Sequence, residues 1–231
     1  MEKLVVIMEK YLMPMSNKIA GNRYVIGARG FMMSMPVLIV GSLCIIIADF
    51  PSPAYQDFMT GVFGDAWSTW CWDIVFPATI GLVALISLIG IPYNLAKELD
   101  IPVLPPITLS LTAYFLLIPV VDGGFSTDDF SASSLFLAMI VAIFVTEIYH
   151  HMLKSKWTIK MPSSVPSFVS NQFEALTPAT LVLIIFLGIR FIFAATSFHT
   201  ASDFIFQMLQ KPLTNVGTSL PGTLIANFFN S

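Results

Sequence analysis

Uncharged apolar runs divide the chain into five stretches long enough to be membrane spans: Gly30 to Ala48, Ile74 to Ala96, Ile101 to Val121, Phe130 to Thr146 and Ala175 to Phe198. The criterion is energetic, because Asp, Lys or Arg at the centre of a bilayer costs about 2.5–3.5 kcal/mol on insertion scales. Only the fifth run is interrupted, by Arg190. Pro102, Pro105 and Pro106 crowd the start of the third, which predicts an irregular entry. A further uncharged stretch, Pro212 to Ser231, is predicted as the start of a sixth segment that the chain does not complete. The predicted fold is an all-α integral membrane protein of about five transmembrane helices with amphipathic surface helices and a truncated sixth hydrophobic segment.

The polar positions between these runs are segregated by sign. Lys3, Lys10, Lys18, Arg23 and Arg29 precede the first span, Lys97 lies between the second and third, and Lys154, Lys156 and Lys160 lie between the fourth and fifth. The alternate loops carry Asp57, Asp65 and Asp73, then Asp122, Asp128 and Asp129, with no Lys or Arg. Positive residues in short loops mark the cytoplasmic side, so the pattern predicts a multi-pass protein with its N-terminus inside. Residues 2–13 place Leu4, Ile7, Met8 and Tyr11 at helical spacing and predict an amphipathic helix at that side. A packed helix fits the same pattern. The first long apolar run begins near Gly30 without a small-residue cleavage site, so the N-terminus is expected to be retained.

Composition adds exclusions. The 231 residues are 56% hydrophobic and 11% charged, and the mean hydropathy is +0.81, whereas a soluble domain carries about 25% charged residues. A net charge of −3 leaves no basic field for nucleic acid. Cys44 and Cys71 form no disulfide framework or metal-binding spacing, and both thiols are expected to be free. Trp67, Trp70 and Trp72 before the second span, and Trp157 after the fourth, read as interfacial anchors. Residues 203–211 are expected to form a short connecting helix on the outer surface.

Candidate chemistry is sparse: no phosphate loop, HExxH pair or nucleophile elbow occurs. Arg190 lies ~20 Å from the start of its span and ~12 Å from its end. An intramembrane charge is a functional candidate by default. The structural alternative has it snorkel outward to a carboxylate such as Asp49 or Asp122. Glu147 and His151 share a helix face at i,i+4 and, with His150, close the fourth span; a proton relay is one reading, and a solvated helix end is the other. No third ligand follows in a spacing that suits a metal.

Residues 157–178, WTIKMPSSVPSFVSNQFEALTP, form the most distinctive stretch, with Pro162 and Pro166 forbidding one continuous helix and Ser170 just beyond them. The pattern Trp157, Ile159, Lys160, Pro162, Ser164, Val165, Pro166, Val169, Ser170, Phe173, Ala175, Leu176 and Pro178 resembles the fourth-to-fifth loop of the lactose/cellobiose/chitobiose-type enzyme IIC. These are the permease components of the bacterial phosphoenolpyruvate-dependent sugar phosphotransferase system. Gly30, Phe31, Met35, Pro36 and Gly41 resemble that family's first-span entry, and Lys211, Pro212 and Leu213 its link after the fifth span.

The resemblance implies an inner-membrane component that imports a β-linked disaccharide, which a cytoplasmic enzyme IIB phosphorylates on arrival. It also implies a division into a cytoplasmic N-terminal segment (1–29), a five-span scaffold that forms a homodimer in the lipid bilayer (30–198), and a linker opening the transport half (199–231). The family's sugar-contacting Gly-Ile-His-Gly-like and Asn-Glu-Pro motifs do not occur among these residues, whose histidines are His150, His151 and His199. No catalytic, cofactor or metal residue is therefore carried over. The expectation is half a permease, not transport-competent alone. The alternative is a non-transporting scaffold or regulator that associates with full-length protomers, and an unrelated five-span carrier is a third reading.

Overall fold

The computed structural model describes residues 21–208 apart from 122, 156–158, 160, 161, 163, 199 and 206. The predicted helix over residues 2–13, Asp122, Trp157, His199 and the stretch from Pro212 onward lie outside the described residues.

Asn22 caps the first helix, its side-chain oxygen accepting from the Tyr24 amide at 2.9 Å. From there α1 (Arg23–Ala28), a 3-10 turn (Arg29–Ser34) and α2 (Met35–Ala48) form one apolar element of 26 residues. The predicted first span is thus lengthened at its basic end. Gln56 closes the other end, donating to the Ala48 and Phe50 carbonyls. It belongs to α3 (Pro53–Phe63), whose first-turn proline suits a helix start. The loop predicted to carry Asp57 is thus helical here.

The second element runs from Trp67 to Glu98 and is not a single α-helix. It comprises α4 (Trp67–Trp70), a π-turn (Cys71–Val75), α5 (Phe76–Ala78), a 3-10 turn (Ile80–Leu82) and α6 (Val83–Glu98). Pro77 lacks an amide donor, and the break follows at Thr79, whose hydroxyl donates to the Val75 carbonyl at 2.6 Å. The three tryptophans are inside this element: Trp70 and Trp72 are exposed, but Trp67 is buried, edge-on to Tyr55 of α3. One predicted membrane anchor is therefore a packing residue.

The third span is short. α7 (Leu104–Leu117) starts late, after Asp100 at φ 54° and Pro102, and ends where Pro119 drives Ile118 into an extended conformation. Its 14 residues rise ~21 Å, less than the ~30 Å hydrocarbon core. Two 3-10 turns then lead into α8 (Leu135–Lys154), which is displaced toward the basic end relative to the predicted Phe130–Thr146. The turn formed by Pro162 and Val165 precedes α9 (Ser167–Ala194). α9 begins eight residues before the predicted Ala175 and carries Pro178 within it. A short α10 (Ala201–Ile205) follows.

The core lies among α6, α7 and α8, with Leu88, Ile91, Tyr114, Val141, Val145 and Tyr149 almost wholly buried. Val182 and Phe186 bring α9 against it. On the other flank, α6 meets the 3-10 turn of the first span at a backbone-to-backbone crossing. A Cβ on Gly30 would lie 2.1 Å from the Gly90 carbonyl oxygen, and one on Gly90 2.2 Å from that of Gly30. Small residues at such crossings let membrane helices approach closely enough for dispersion forces to hold them.

Candidate functional site

Two polar clusters stand at opposite ends of the bundle. At the basic end, α8 extends past the predicted span, so Glu147 and His150 are enclosed by packing. The Glu147 side chain is 14% exposed, and Arg23 of α1 places its Nη2 3.2 Å from Glu147 Oε1. His151 Nδ1 is 3.5 Å from Glu147 Oε2 and 2.8 Å from the Glu147 carbonyl oxygen. Neither carboxylate oxygen makes a hydrogen bond among the described residues, so proximity of charge is what Arg23 supplies. His150 is buried with Nδ1 unpartnered among those residues. The helix end expected here is solvated at His151, whose side chain is 72% exposed, but Glu147 and His150 are enclosed, and Arg23 clasps the first span to α8.

At the acidic end, Arg190 lies in α9, but four residues from its end instead of the predicted eight, and its partners are different. Its Nη1 donates to the Leu116 carbonyl at 3.0 Å and to that of Ile118. Pro119 stops α7 early, and a helix end leaves carbonyls without intrahelical donors. Arg190 supplies the donor across the interface between α9 and α7. The expected pair with Asp49 does not form: Asp49 Oδ1 accepts from Trp72 Nε1 at 3.3 Å.

Asp129 is, by sequence, one of several loop acids. It follows α7 in a 3-10 turn, is buried, and leaves Oδ2 unpartnered among the described residues. The buried Tyr114 hydroxyl donates to its backbone carbonyl. Burial, then the neighbouring charges of Asp128 and Asp203, raise its pKa above the usual aspartate value, partly offset by the Ser126 backbone. The hint in sequence was a tandem acid just outside an apolar run, but burial depends on the fold.

The remaining candidates stay separate. Pro166 caps α9, its carbonyl accepting from the Ser170 amide at 3.1 Å, and Pro162 is exposed. Among the described residues no three His, Cys, Asp or Glu side chains are grouped to hold a metal ion. Cys44 and Cys71 are free thiols. The contacts of Arg23 with Glu147, of Arg190 with the end of α7 and of Asp49 with Trp72 thus each join one span to another.

Residues 28–231 match the family described as "Phosphotransferase system, EIIC". The chain is 34% identical over 243 residues to the lichenan permease IIC component of Bacillus subtilis (strain 168), covering 98% of this chain and 53% of that protein. It is 32% identical over 243 residues to the cellobiose-specific EIIC component of Geobacillus stearothermophilus, with the same coverage. Among solved structures it is similar to the transporter ChbC, the IIC component of the N,N'-diacetylchitobiose-specific phosphotransferase system. There the TM-score is 0.87 at 36% identity, covering 95% of this chain and 54% of ChbC. The chain spans about half the length of the curated relatives it matches.

Proposed function

Because the chain belongs to the phosphotransferase system EIIC family, we propose that it is the membrane-embedded scaffold half of a permease that imports a β-linked disaccharide of the cellobiose, lactose or chitobiose class. The sugar is phosphorylated on arrival by a cytoplasmic enzyme IIB. The basic end bearing Arg23, Lys97 and Lys154 faces the cytoplasm of a bacterial cell, and the scaffold pairs with a second copy. The sugar is held by residues outside these 231, in the part of the permease that moves between the two faces of the membrane.

The observation that carries this reading is the backbone shared with ChbC over nearly the whole chain. Its physical content agrees with a scaffold: every cross-span polar contact described above holds two elements together. The test is calorimetric titration of the purified chain with cellobiose and N,N'-diacetylchitobiose. No saturable binding is expected, and saturable binding of either sugar would overturn the placement of the sugar site.

The exposed apolar faces of α2 and α9 favour a second reading, a non-transporting scaffold or regulator that associates with full-length permease protomers. Co-expression with a tagged intact EIIC separates the two. Recovery of mixed assemblies without change in uptake supports the passive scaffold, whereas altered uptake supports a regulator.

A further inference from the structure

Between α8 and α9 lies a groove of about 330 Å³ with a wholly apolar lining. Leu137, Val141, Phe144 and Ile148 form one wall, and Ile185 and Ile189 the other. Phe204 and Ile205 of α10 cover its acidic end. From Leu137 to Ile148 the groove descends ~16 Å at helical rise, close to the ~15 Å hydrocarbon depth of one leaflet. Water has no hydrogen-bond partner in such a space, and lining atoms without neighbours forfeit dispersion contacts. An acyl chain supplies those contacts.

Arg190 stands beside this groove, one turn from Phe186 and from Phe193, both of which line it. Among the described residues its hydrogen bonds use Nη1 alone. Among the described residues no carboxylate lies within ion-pair distance of it. It sits four residues before the end of α9, ~6 Å along the axis, within snorkelling reach of the headgroup region. A guanidinium that has no carboxylate partner among the described residues, and uses only Nη1 among them, is matched by phosphate.

We propose that this groove binds a glycerophospholipid of the acidic-end leaflet, one acyl chain between α8 and α9 and the phosphate on Arg190. The lipid fills the void and neutralises the arginine that caps α7. It thereby holds together the short span, α9 and the linker helix α10. The proposal rests on the membrane fold and this groove, not on the sugar assignment.

The full chain is reconstituted in vesicles of phosphatidylethanolamine and phosphatidylglycerol that contain a phosphatidylglycerol with a photoreactive tail. Labelling is expected on Ile140, Phe144, Ile185 and Ile189. Ile140→Trp, which fills the groove and leaves Arg190 untouched, should reduce it about tenfold, as should Arg190→Ala, by the weight of one charge-assisted contact. Arg190→Lys retains most of the labelling. Should Arg190→Ala fail to fold, Ile140→Trp decides. Labelling unaffected by Ile140→Trp would overturn the proposal. So would cross-linking of two Ile140→Cys chains through the groove, which would make a second copy the occupant.

Discussion

α8 and α9 are adjacent and antiparallel, and both are apolar enough to cross a membrane, yet they occupy opposite kinds of space. In the most apolar part of the segment containing α8, 44% of residues are buried inside the protein, against 17% for α9. Hydropathy does not separate them, because lipid tails are as apolar as a core and give no drive to hide one leucine rather than another. Shape and small residues do. α8 turns Ala138, Ala142 and Thr146 inward, and the Thr146 hydroxyl returns to the Ala142 carbonyl at 2.7 Å. α9 presents Ile184, Phe191 and Ile192 outward. The interior is marked by what permits close approach and the periphery by bulk.

The strongest test of this contrast between interior and periphery is a single methyl group placed on α6, which shares the core with α8, and on α9. Gly90→Ala directs a Cβ onto the Gly30 carbonyl oxygen, and no rotamer change relieves a clash with backbone. The first span and α6 must separate, with an expected loss near the top of the ~1–3 kcal/mol range for overpacking. Gly188→Ala in α9 meets nothing within 4 Å, and replacing glycine inside a helix is worth roughly 0.5–1 kcal/mol of stabilisation. Thermal unfolding in detergent micelles should therefore shift in opposite directions for the same substitution. Equal shifts would mean that the Gly30–Gly90 crossing does not hold the spans together.

Side-chain truncation gives a smaller contrast. Leu88 is wholly buried in α6, so Leu88→Ala leaves a cavity and is expected to lose about 2 kcal/mol or more. Ile184 faces outward, where lipid tails refill the removed volume, and Ile184→Ala should change stability by less than ~0.5 kcal/mol. Chemical unfolding of both variants in the same micelles measures the difference. A comparable loss at Ile184 would show that α9 is covered by protein there.

These differences also show where sequence reading stops. The five apolar runs and the sign of each loop were legible because each is a local property read against a known solvent. So was the irregular start of α7, since proline acts on its immediate neighbours. The Gly30–Gly90 crossing was not legible, because it joins residues of two different spans and neither glycine announces a partner. For the same reason Arg190 was assigned a carboxylate: the carbonyls it caps become free only where Pro119 ends α7. Glu147 and His150 were read as solvated because the covering Arg23 belongs to a segment read as lying outside the span.

Asp129 gives the smallest effect and tests whether the acidic end, like α8, is protein interior. Its pKa is raised in the folded state, mainly by burial and further by Asp128 and Asp203. Folding therefore binds its proton more tightly than the unfolded chain does. The resulting stabilisation is fully present below the ordinary aspartate value and is lost as pH rises through the folded one. Above the folded value the wild-type chain holds a buried carboxylate with Oδ2 unpartnered among the described residues. Asp129→Asn removes that charge and keeps the shape, so it should raise the unfolding temperature at a pH above the folded value and leave it nearly unchanged in mild acid. Tyr114→Phe, which deletes the bond to the Asp129 backbone carbonyl, should lower stability at both pH values alike. The two variants separate the charge of the site from its packing. A pH dependence unaltered in Asp129→Asn would place that carboxylate in water and make the acidic end a surface.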